Sequence, residues 1–215
     1  MPGIVDDIIV VDDGSHDKTV ENALLSGDER VVIIRHRRNQ GLGASIVSGH
    51  RKAMELGAEI SVVMAGDAQM DPKYLPDLLK AVIEEGYDYA KGNRLLVPGH
   101  ARGMPRIRFL GNMLLSLLNK VCSGYWDISD PQNGYTAIRT KVLKELDLDN
   151  IARGYQFEND MLVNLNMINA NVKDVPIPAN YDGQPSKIKM HKFLLETSFF
   201  LIQRFFHRIC KKYIR

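Results

Sequence analysis

Acidic side chains follow two apolar segments of the sequence, at the points where predicted strands end. Asp12 and Asp13 follow the run IIVV, and Asp67 comes three residues after the run ISVVM. Continuous apolar runs of this length indicate buried parallel strands, and such sheets bind ligands outside the carboxyl ends of their strands. Carboxylates there can accept hydrogen bonds from a nucleobase or a ribose hydroxyl. The alternative for Asp12 and Asp13 is an ordinary strand-to-helix turn.

Asp67 is also half of a candidate metal site. Gln69 stands two positions later, and side chains two apart on an extended segment point the same way. Their oxygen atoms suit Mg²⁺ or Mn²⁺ bridging a diphosphate, whereas no Cys/His cluster offers a zinc site. We therefore predict a divalent-cation site at Asp67 and Gln69.

Further carboxylates lie near the predicted boundaries of later elements. Asp130 lies in the segment DPQNGY, and Asp160 lies in the segment GYQFEND. A carboxylate at such a boundary could deprotonate an acceptor or fix a positive group. The alternatives are an Asx-type turn at Asp130 and, for the neighbouring Glu158, a favourable interaction with a helix dipole.

Cationic side chains gather around two predicted loops, residues 95–105 and 178–190. Arginine binds phosphate through its planar fork and lysine binds it as a point charge, although solvated surface positions are the alternative for each residue. The candidates are Arg94, Arg102, Arg106, Arg108 and Lys187.

The elements that must position these side chains alternate along the chain. Apolar runs predict strands at 6–11, 31–34, 60–64, 89–91, 135–139 and 172–177, and the intervening patterns predict helices at 19–25, 41–57, 74–83, 107–121 and 157–169. This alternation predicts an α/β fold, a mainly parallel sheet with helices on both faces. The 215 residues fit one large domain, to which we assign residues 1–190.

Composition excludes several classes of protein. Hydrophobic residues make up 45% and charged residues 25% of the chain, which excludes a disordered chain, a collagen and a coiled coil. Two cysteines, Cys122 and Cys210, cannot form a disulfide framework and favour a reducing compartment. No basic-then-apolar leader opens the sequence, so no secretory signal is expected.

The last 29 residues differ from the rest in composition. They contain eight of the 28 Lys and Arg residues, one of the 26 acidic residues and five of the seven Phe residues. We predict that residues 191–215 form a basic amphipathic helix attracted to anionic lipid. Glu196, Gln203 and Arg204 interrupt the apolar run that a membrane span requires. The alternative is a helix packed on the domain with its cations solvated.

Seven segments between residues 11 and 188 carry a family resemblance through their order. They are VDDGSHDKT, NQGLGAS, AGDAQMDP, KGNR, DPQNGY, GYQFEND and PSKI. Their order resembles that of family 2 glycosyltransferases, in the branch of dolichyl-phosphate mannose synthase and bacterial polyprenyl-phosphate glycosyltransferases. The resemblance covers about residues 4–190.

This resemblance implies a GT-A fold, a nucleotide-sugar donor, Mg²⁺ or Mn²⁺, and inversion at the anomeric carbon. Roles carry over by position in three groups. The resemblance assigns Asp12, Asp13, Arg94 and Lys187 to the donor and its phosphates, Asp67 and Gln69 to the metal, and Arg106, Asp130 and Asp160 to the catalytic centre.

The sequence departs from the family pattern in two places. Ala65 stands where the metal motif has its first Asp. In addition, the strand and the nucleotide-gripping loop with which the family normally begins do not precede Ile4, so a unit of roughly 30 residues is expected to be missing. Because that strand is central in the family, we expect a gap in the sheet or unpaired backbone.

The leading hypothesis is an inverting sugar transfer to a polyprenyl-phosphate or similar acceptor at the cytoplasmic face of a membrane. Two alternatives stay open, transfer to a glycan hydroxyl and an inactive nucleotide-sugar-binding fragment. A hydroxyl acceptor would need a base such as Asp130 or Asp160, whereas a phosphate acceptor is already ionised. Nucleic acid is not an expected partner, and the oligomeric state is open, with a homo-oligomer among the alternatives.

Overall fold

The computed structural model describes residues 1–96, 106–178 and 190–214, without the side chains of 106–109 and 190–192. The strands are β1 (Ile8–Asp12), β2 (Val31–Arg35), β3 (Ile60–Val63), β4 (Tyr89–Asn93), β5 (Thr136–Arg139) and β6 (Val172–Pro176). The helices are α1 (Thr19–Leu25), α2 (Leu42–Glu55), α3 (Leu75–Ile83), α4 (Arg106–Ser123), α5 (Thr140–Leu143), α6 (Phe157–Met167) and α7 (Met190–Tyr213), with a 3₁₀ turn at Pro72–Tyr74 before α3.

The described strands form two sheets. Strand β1 pairs with β2 in parallel, and a second sheet has the strand order β3-β5-β4-β6. Neither β1 nor β2 pairs with a described strand of the larger sheet. Within that sheet β4 and β6 are parallel, while β5 runs antiparallel to both β3 and β4.

Helices cover both faces of the larger sheet. On one face Tyr89 and Ile138 pack with residues of α6 such as Leu162. On the other face Ala90 and Ala137 pack with residues of α3, because successive strand residues point to opposite faces. The predicted α/β architecture is confirmed, with β5 as the antiparallel strand that its short apolar run does not reveal.

Helix α2 joins the two sheets and sets their common edge. Its first turn lies beside the end of β1, where the Gly41 amide donates to Asp13 Oδ2 over 2.8 Å. Its middle lies beside β3, where the buried His50 Nδ1 is 2.9 Å from Ser61 Oγ. Since β3 therefore runs back along α2, its carboxyl end points toward the same edge as the end of β1.

Candidate functional site

Four of the sequence motifs meet at the carboxyl edge of the larger sheet. Val63, the last residue of β3, pairs with Thr136, the first residue of β5, which brings the segment after β3 beside the loop before β5. The Tyr135 hydroxyl donates to the carbonyl oxygen of Asp71 over 3.4 Å. A Cβ at Gly134 would lie 3.2 Å from Glu158 Oε1 and 3.5 Å from Met70 Cε. The segments AGDAQMDP, DPQNGY and GYQFEND are thus in contact, and KGNR contains the end of β4, where Lys91 pairs with Thr136 of β5.

The carboxylate of Asp13 binds the loop between β2 and α2. Its Oδ1 lies 2.7 Å from His36 Nδ1 and accepts from the Gln40 amide over 2.9 Å, while Oδ2 accepts from Gly41. Although burial alone would raise the pKa of Asp13, these hydrogen bonds together hold it below its usual value. The protein itself thus supplies three partners to the carboxylate that the sequence assigns to a nucleotide.

Asp12 is buried at the end of β1. Its Oδ1 accepts from the Ser15 amide over 2.9 Å, and its Oδ2 forms an ion pair with Arg35 Nε at 3.2 Å. That second oxygen has no aligned hydrogen-bond donor in the described part of the protein. Asp12 therefore shapes the turn after β1 as the alternative interpretation expects, and its donor role stays a prediction.

Asp67 and Gln69 lie on a turn, so the prediction of an extended segment is wrong. Ala68 between them has φ 60°, in the left-handed region that most side chains avoid. The Gln69 amide donates to Asp67 Oδ1 over 3.1 Å, which closes an Asx-type turn. Asp67 is exposed and Gln69 is half-buried.

Among the described residues no group of three or more His, Cys, Asp and Glu side chains converges as a ready metal centre. Mg²⁺ is commonly held in proteins by one or two carboxylates together with substrate phosphates and water. One exposed carboxylate with an adjacent amide oxygen fits that mode of binding. The cation would then depend on a bound diphosphate for most of its ligands.

Asp130 is fully buried and forms a bidentate ion pair with Arg94. Arg94 Nε donates to Oδ2 over 2.7 Å and Nη2 donates to Oδ1 over 2.9 Å, with a further bond from the Arg94 amide. Burial would raise the pKa of Asp130, but the Arg94 guanidinium outweighs burial and holds it below its usual value. This geometry supports a role for Asp130 in orienting Arg94, and its role as a base stays a prediction.

Lys91 is a site residue to which sequence analysis assigns no role. It is fully buried in β4, and its ammonium donates to the carbonyl oxygen of Asn133 in the DPQNGY loop. Burial lowers the pKa of Lys91 and raises that of the buried Glu158, against the attraction between the two charges. The available signal is a lysine inside a short strand, since lysine is almost never fully buried without a partner.

Asp174 on β6 is a second residue that sequence analysis missed. Its Oδ2 accepts from the Ser129 amide over 2.7 Å and from the Asn93 side-chain amide. Burial raises the pKa of Asp174 to about 6. Asp174 thereby joins β6 to Asn93 and Ser129, which directly precede Arg94 and Asp130 in the chain.

We expect Asp174→Asn to change how stability depends on pH. Because the native carboxyl has a pKa of about 6 against an ordinary 3.8, the native state binds the proton more tightly than the unfolded chain. Stability from this group is therefore lost as pH rises from about 4 to 6, by about 2–3 kcal/mol. Asparagine cannot ionise. The free energy of unfolding of the variant, measured with urea, should therefore rise relative to that of the wild type between pH 4.5 and pH 7. Asp127→Asn, at an exposed position, is the control, and parallel pH curves for D174N and wild type would contradict this assignment.

Two glycines of the NQGLGAS segment let α2 begin against the loop before α6. The Gly43 amide donates to the carbonyl oxygen of Arg153 over 2.8 Å, and the Ala44 amide does so over 3.3 Å. A Cβ at Gly43 would lie 2.2 Å from the Ala152 oxygen, and one at Gly41 would lie 2.5 Å from the Arg153 oxygen. Glycine is therefore required here by close backbone approach.

Asp160 binds neighbouring elements through both carboxylate oxygens. Oδ2 accepts from the Ala152 amide over 2.8 Å, and Oδ1 accepts from Arg204 Nε of α7 and from the Asn164 side-chain amide at 3.1 Å. Burial raises the pKa of Asp160, and the charge of Arg204 opposes that rise. These contacts support a positioning role, while a catalytic role for Asp160 stays a prediction.

Two further predicted residues fall outside the described structure. Arg106 begins α4, but its side chain is not among those described, and Lys187 lies in the segment 179–189 outside the described residues. Arg102 also lies outside the described residues, and the side chain of Arg108 is also not among those described.

Helices α4 and α7 lie side by side, with several polar residues among their buried side chains and an exposed row of large apolar side chains on each helix. The buried face of α4 carries Asn112, Ser116, Asn119 and Ser123, and that of α7 carries Thr197 and Arg208. The outward side chains are between 42% and 73% exposed. They form the surface that we call the α4–α7 face: Leu110, Met113, Leu114, Leu117, Val121, Leu195, Phe199, Ile202 and Phe206. In the described part of the chain, no helix has the length and hydropathy needed to cross a bilayer.

The inward cations of α7 correct part of the sequence analysis, which expected its basic side chains to be free for lipid or solvent. Arg204 pairs with Asp160, while Arg208 donates to the carbonyl oxygens of Val121 and Cys122 at the end of α4. Lys212 donates to the carbonyl oxygen of Asn166 over 2.6 Å. Cations at the carboxyl ends of helices are stabilising because the helix dipole is negative there.

The motifs that converge here also match known proteins. A model of glycosyl transferase family 2 matches residues 2–147. The chain belongs to glycosyltransferase family 2. This glycosyltransferase is 30% identical over 190 residues to a UDP-N-acetylglucosamine–dolichyl-phosphate N-acetylglucosaminyltransferase of Methanococcus voltae, a match that covers 82% of this chain and 75% of that protein. It is 31% identical over 174 residues to an undecaprenyl-phosphate mannosyltransferase of Micrococcus luteus, covering 80% and 70% of the two chains.

Solved structures confirm the GT-A fold of this glycosyltransferase. A glucosyl-3-phosphoglycerate synthase from Mycobacterium tuberculosis, in complex with Mn²⁺, UDP and phosphoglyceric acid, superposes with a TM-score of 0.68. The match covers 96% of this chain and 68% of that one at 21% identity. At that identity the likeness establishes the fold and leaves substrates to be argued from the site.

Proposed function

We propose that this glycosyltransferase transfers a sugar, with inversion, from a nucleotide-diphosphate sugar to a polyprenyl-phosphate acceptor at a membrane surface. The observation that carries the proposal is the α4–α7 face, nine large apolar side chains that are exposed on the outward sides of the two helices. Apolar patches of this extent on soluble proteins mark interaction sites. A lipid acceptor would bring the enzyme to a bilayer, where such a face can be buried.

The partners of the predicted bases favour a phosphate acceptor over a glycan hydroxyl. Asp130 is paired with Arg94, and Asp160 is paired with Arg204. The Arg94 guanidinium helps to hold the pKa of Asp130 below its usual value, which makes Asp130 a weak base. Both carboxylate oxygens of Asp160 already accept hydrogen bonds, from Ala152, Asn164 and Arg204. A phosphate acceptor is already ionised at neutral pH and needs no such base.

The site residues would act mainly by positioning and by charge. Arg94, oriented by Asp130, would face the phosphates of the donor, and Asp13 would fix the loop before α2 beside the nucleotide. Bound Mg²⁺ or Mn²⁺, held by Asp67, Gln69 and the diphosphate, would supply charge stabilisation for the leaving group. Cations placed in advance around a developing negative charge lower the barrier without reorganisation.

A transfer assay tests the proposed function. The purified protein is incubated with vesicles containing a polyprenyl phosphate, a panel of UDP- and GDP-sugars, and Mn²⁺ or Mg²⁺. We expect a polyprenyl-phosphate sugar whose anomeric configuration is opposite to that of the donor. The matched control is the same polyprenol without phosphate. Transfer only to an oligosaccharide hydroxyl, or no transfer from any donor, would contradict the proposal.

Substitutions on the α4–α7 face are expected to weaken vesicle binding. Replacing Leu117 and Phe199 together by serine removes two outward apolar side chains without touching the buried contacts of either helix. We expect at least a tenfold loss of partitioning onto phosphatidylcholine/phosphatidylglycerol vesicles in a flotation assay, since each exposed side chain contributes about 1 kcal/mol on burial. Deleting residues 191–215 is a poorer test, because it also removes the buried Arg208 and Leu201.

The control for that experiment is Leu25→Ser. Leu25 is 82% exposed on α1, away from α4 and α7, and the same type of substitution there should leave partitioning unchanged. Equal binding of the double variant and the wild type would remove the α4–α7 face from the proposal.

Since Arg204, Arg208 and Lys212 are bonded inside the protein, we expect neutral phosphatidylcholine vesicles to retain part of the binding.

A further inference from the structure

Arg204 has a buried contact that its place on an exposed helix does not require. Its side chain is 18% exposed, and it pairs with Asp160, whose side chain is 1% exposed. Arg204 thus lies on α7, which supplies half of the α4–α7 face, and reaches into the first turn of α6. Breaking one partner of a buried pair leaves a charge without compensation, so the position of Asp160 depends on Arg204.

Asp160 also binds the loop before α6. Its Oδ2 accepts from the Ala152 amide over 2.8 Å. The next residue, Arg153, accepts hydrogen bonds from the amides of Gly43 and Ala44 through its carbonyl oxygen. The backbone at 152–153 therefore lies between the carboxylate of Asp160 and the first turn of α2.

Asp13 binds the two residues that directly precede α2. The amides of Gln40 and Gly41 both donate to the Asp13 carboxylate. The backbone of Gly43 packs tightly against residues 152–153, since even a methyl group at Gly43 would lie 2.2 Å from the Ala152 oxygen. A displacement of residues 152–153 must therefore move the start of α2, and with it the partners of Asp13.

We propose that Arg204 is a positioning residue for donor binding, which acts through Asp160 and the backbone of residues 152–153 on the loop that holds Asp13. The inference rests on the proposed function in one respect, that the nucleotide binds beside Asp13. Its consequence is that the position of α7 affects the geometry of the donor site. Arg204 is a positioning residue rather than a catalytic one in this proposal, because it acts through Asp160.

Hydrogen exchange tests the connection without any substrate. In Arg204→Gln we expect the amides of Gly43 and Ala44 to exchange at least tenfold faster than in the wild type, read from peptides covering residues 40–47. Lys212→Gln is the matched control, since Lys212 is another inward cation of α7 but bonds to Asn166 at the far end of α6. Unchanged exchange in R204Q would overturn the inference whether or not the protein is a transferase.

Nucleotide titration tests the functional half, with UDP, GDP and Mn²⁺ as probes. We expect R204Q to weaken nucleoside diphosphate binding at least fivefold, Arg204→Lys to recover most of the affinity, and vesicle partitioning to stay the same. Equal dissociation constants for R204Q and wild type would overturn the positioning role. Failure of the wild type to bind either nucleotide would instead contradict the proposed function, while the exchange result still decides whether Arg204 holds α2.

A substitution of Gly43 disturbs the contact between α2 and residues 152–153 without altering α7. Gly43→Ala places a methyl group against the Ala152 oxygen and should weaken nucleotide binding as R204Q does, even where R204Q folds poorly. Gly49→Ala on the same helix is its control, because a Cβ there would make an ordinary 3.6 Å contact with Val11. Normal nucleotide binding by G43A would overturn the proposed route through residues 152–153.

Discussion

Replacing Asp130 by alanine is expected to destabilise the protein by about 3–5 kcal/mol, because the Arg94 guanidinium would lose the buried carboxylate that accepts two of its hydrogen bonds. The Asp130 side chain is fully buried, and Arg94 is bound to it through two nitrogen atoms, so water cannot easily replace the carboxylate. Urea unfolding at pH 7 measures the loss as a lower transition midpoint at an unchanged slope.

The exposed pair Arg51–Asp149 provides the control for this prediction. The two side chains are also 2.7 Å apart, but they are 47% and 78% exposed. Surface ion pairs contribute little, so Asp149→Ala should cost less than about 1 kcal/mol. A similarly small cost for D130A would contradict the buried pair.

Asp67→Ala is expected to abolish metal-dependent donor binding, with at least a 100-fold fall in kcat/KM for sugar transfer. Asp67 provides the one carboxylate of the proposed cation site, and Ala65 occupies the position of a second one. A cation that has few protein ligands depends strongly on each of them. Calorimetric titration of UDP and GDP in the presence and absence of Mn²⁺ measures the effect directly.

Asp71→Ala is the matched control in the same segment. Asp71 is an exposed carboxylate that accepts from the Lys73 amide over 2.9 Å and caps the short 3₁₀ turn. Its loss should lower stability by about 1 kcal/mol and leave metal-dependent binding intact. Equal Mn²⁺ dependence in D67A and the wild type would exclude Asp67 as a ligand.

The elements of the fold could be predicted from the sequence because their apolar patterns are strong. The strands β1, β2 and β3 begin and end within two residues of their predicted bounds, and α1 matches at both ends. The direction of β5 could not be predicted, since four residues with a buried pattern fit either a parallel or an antiparallel neighbour. The short helix α5 was missed for the related reason that one turn carries no periodicity.

The site was predicted in its residue types better than in its contacts. The order of the motifs identified the family, yet spacing cannot show that Asp130 and Asp160 are bound to Arg94 and Arg204. Those partners lie 36 and 44 residues away in the chain, and only folding brings them together. Lys91 was missed because the sequence alone does not show that its side chain is buried against the DPQNGY loop.

The outward apolar side chains of α4 and α7 have a practical consequence for the purified protein. In plain buffer two copies can shield these side chains by pressing them against each other, so concentration-dependent association is expected during chromatography or scattering. Such complexes should dissolve into single copies when mild detergent or nanodiscs are supplied. A particle size recorded without amphiphile would therefore report solvent avoidance rather than a native assembly.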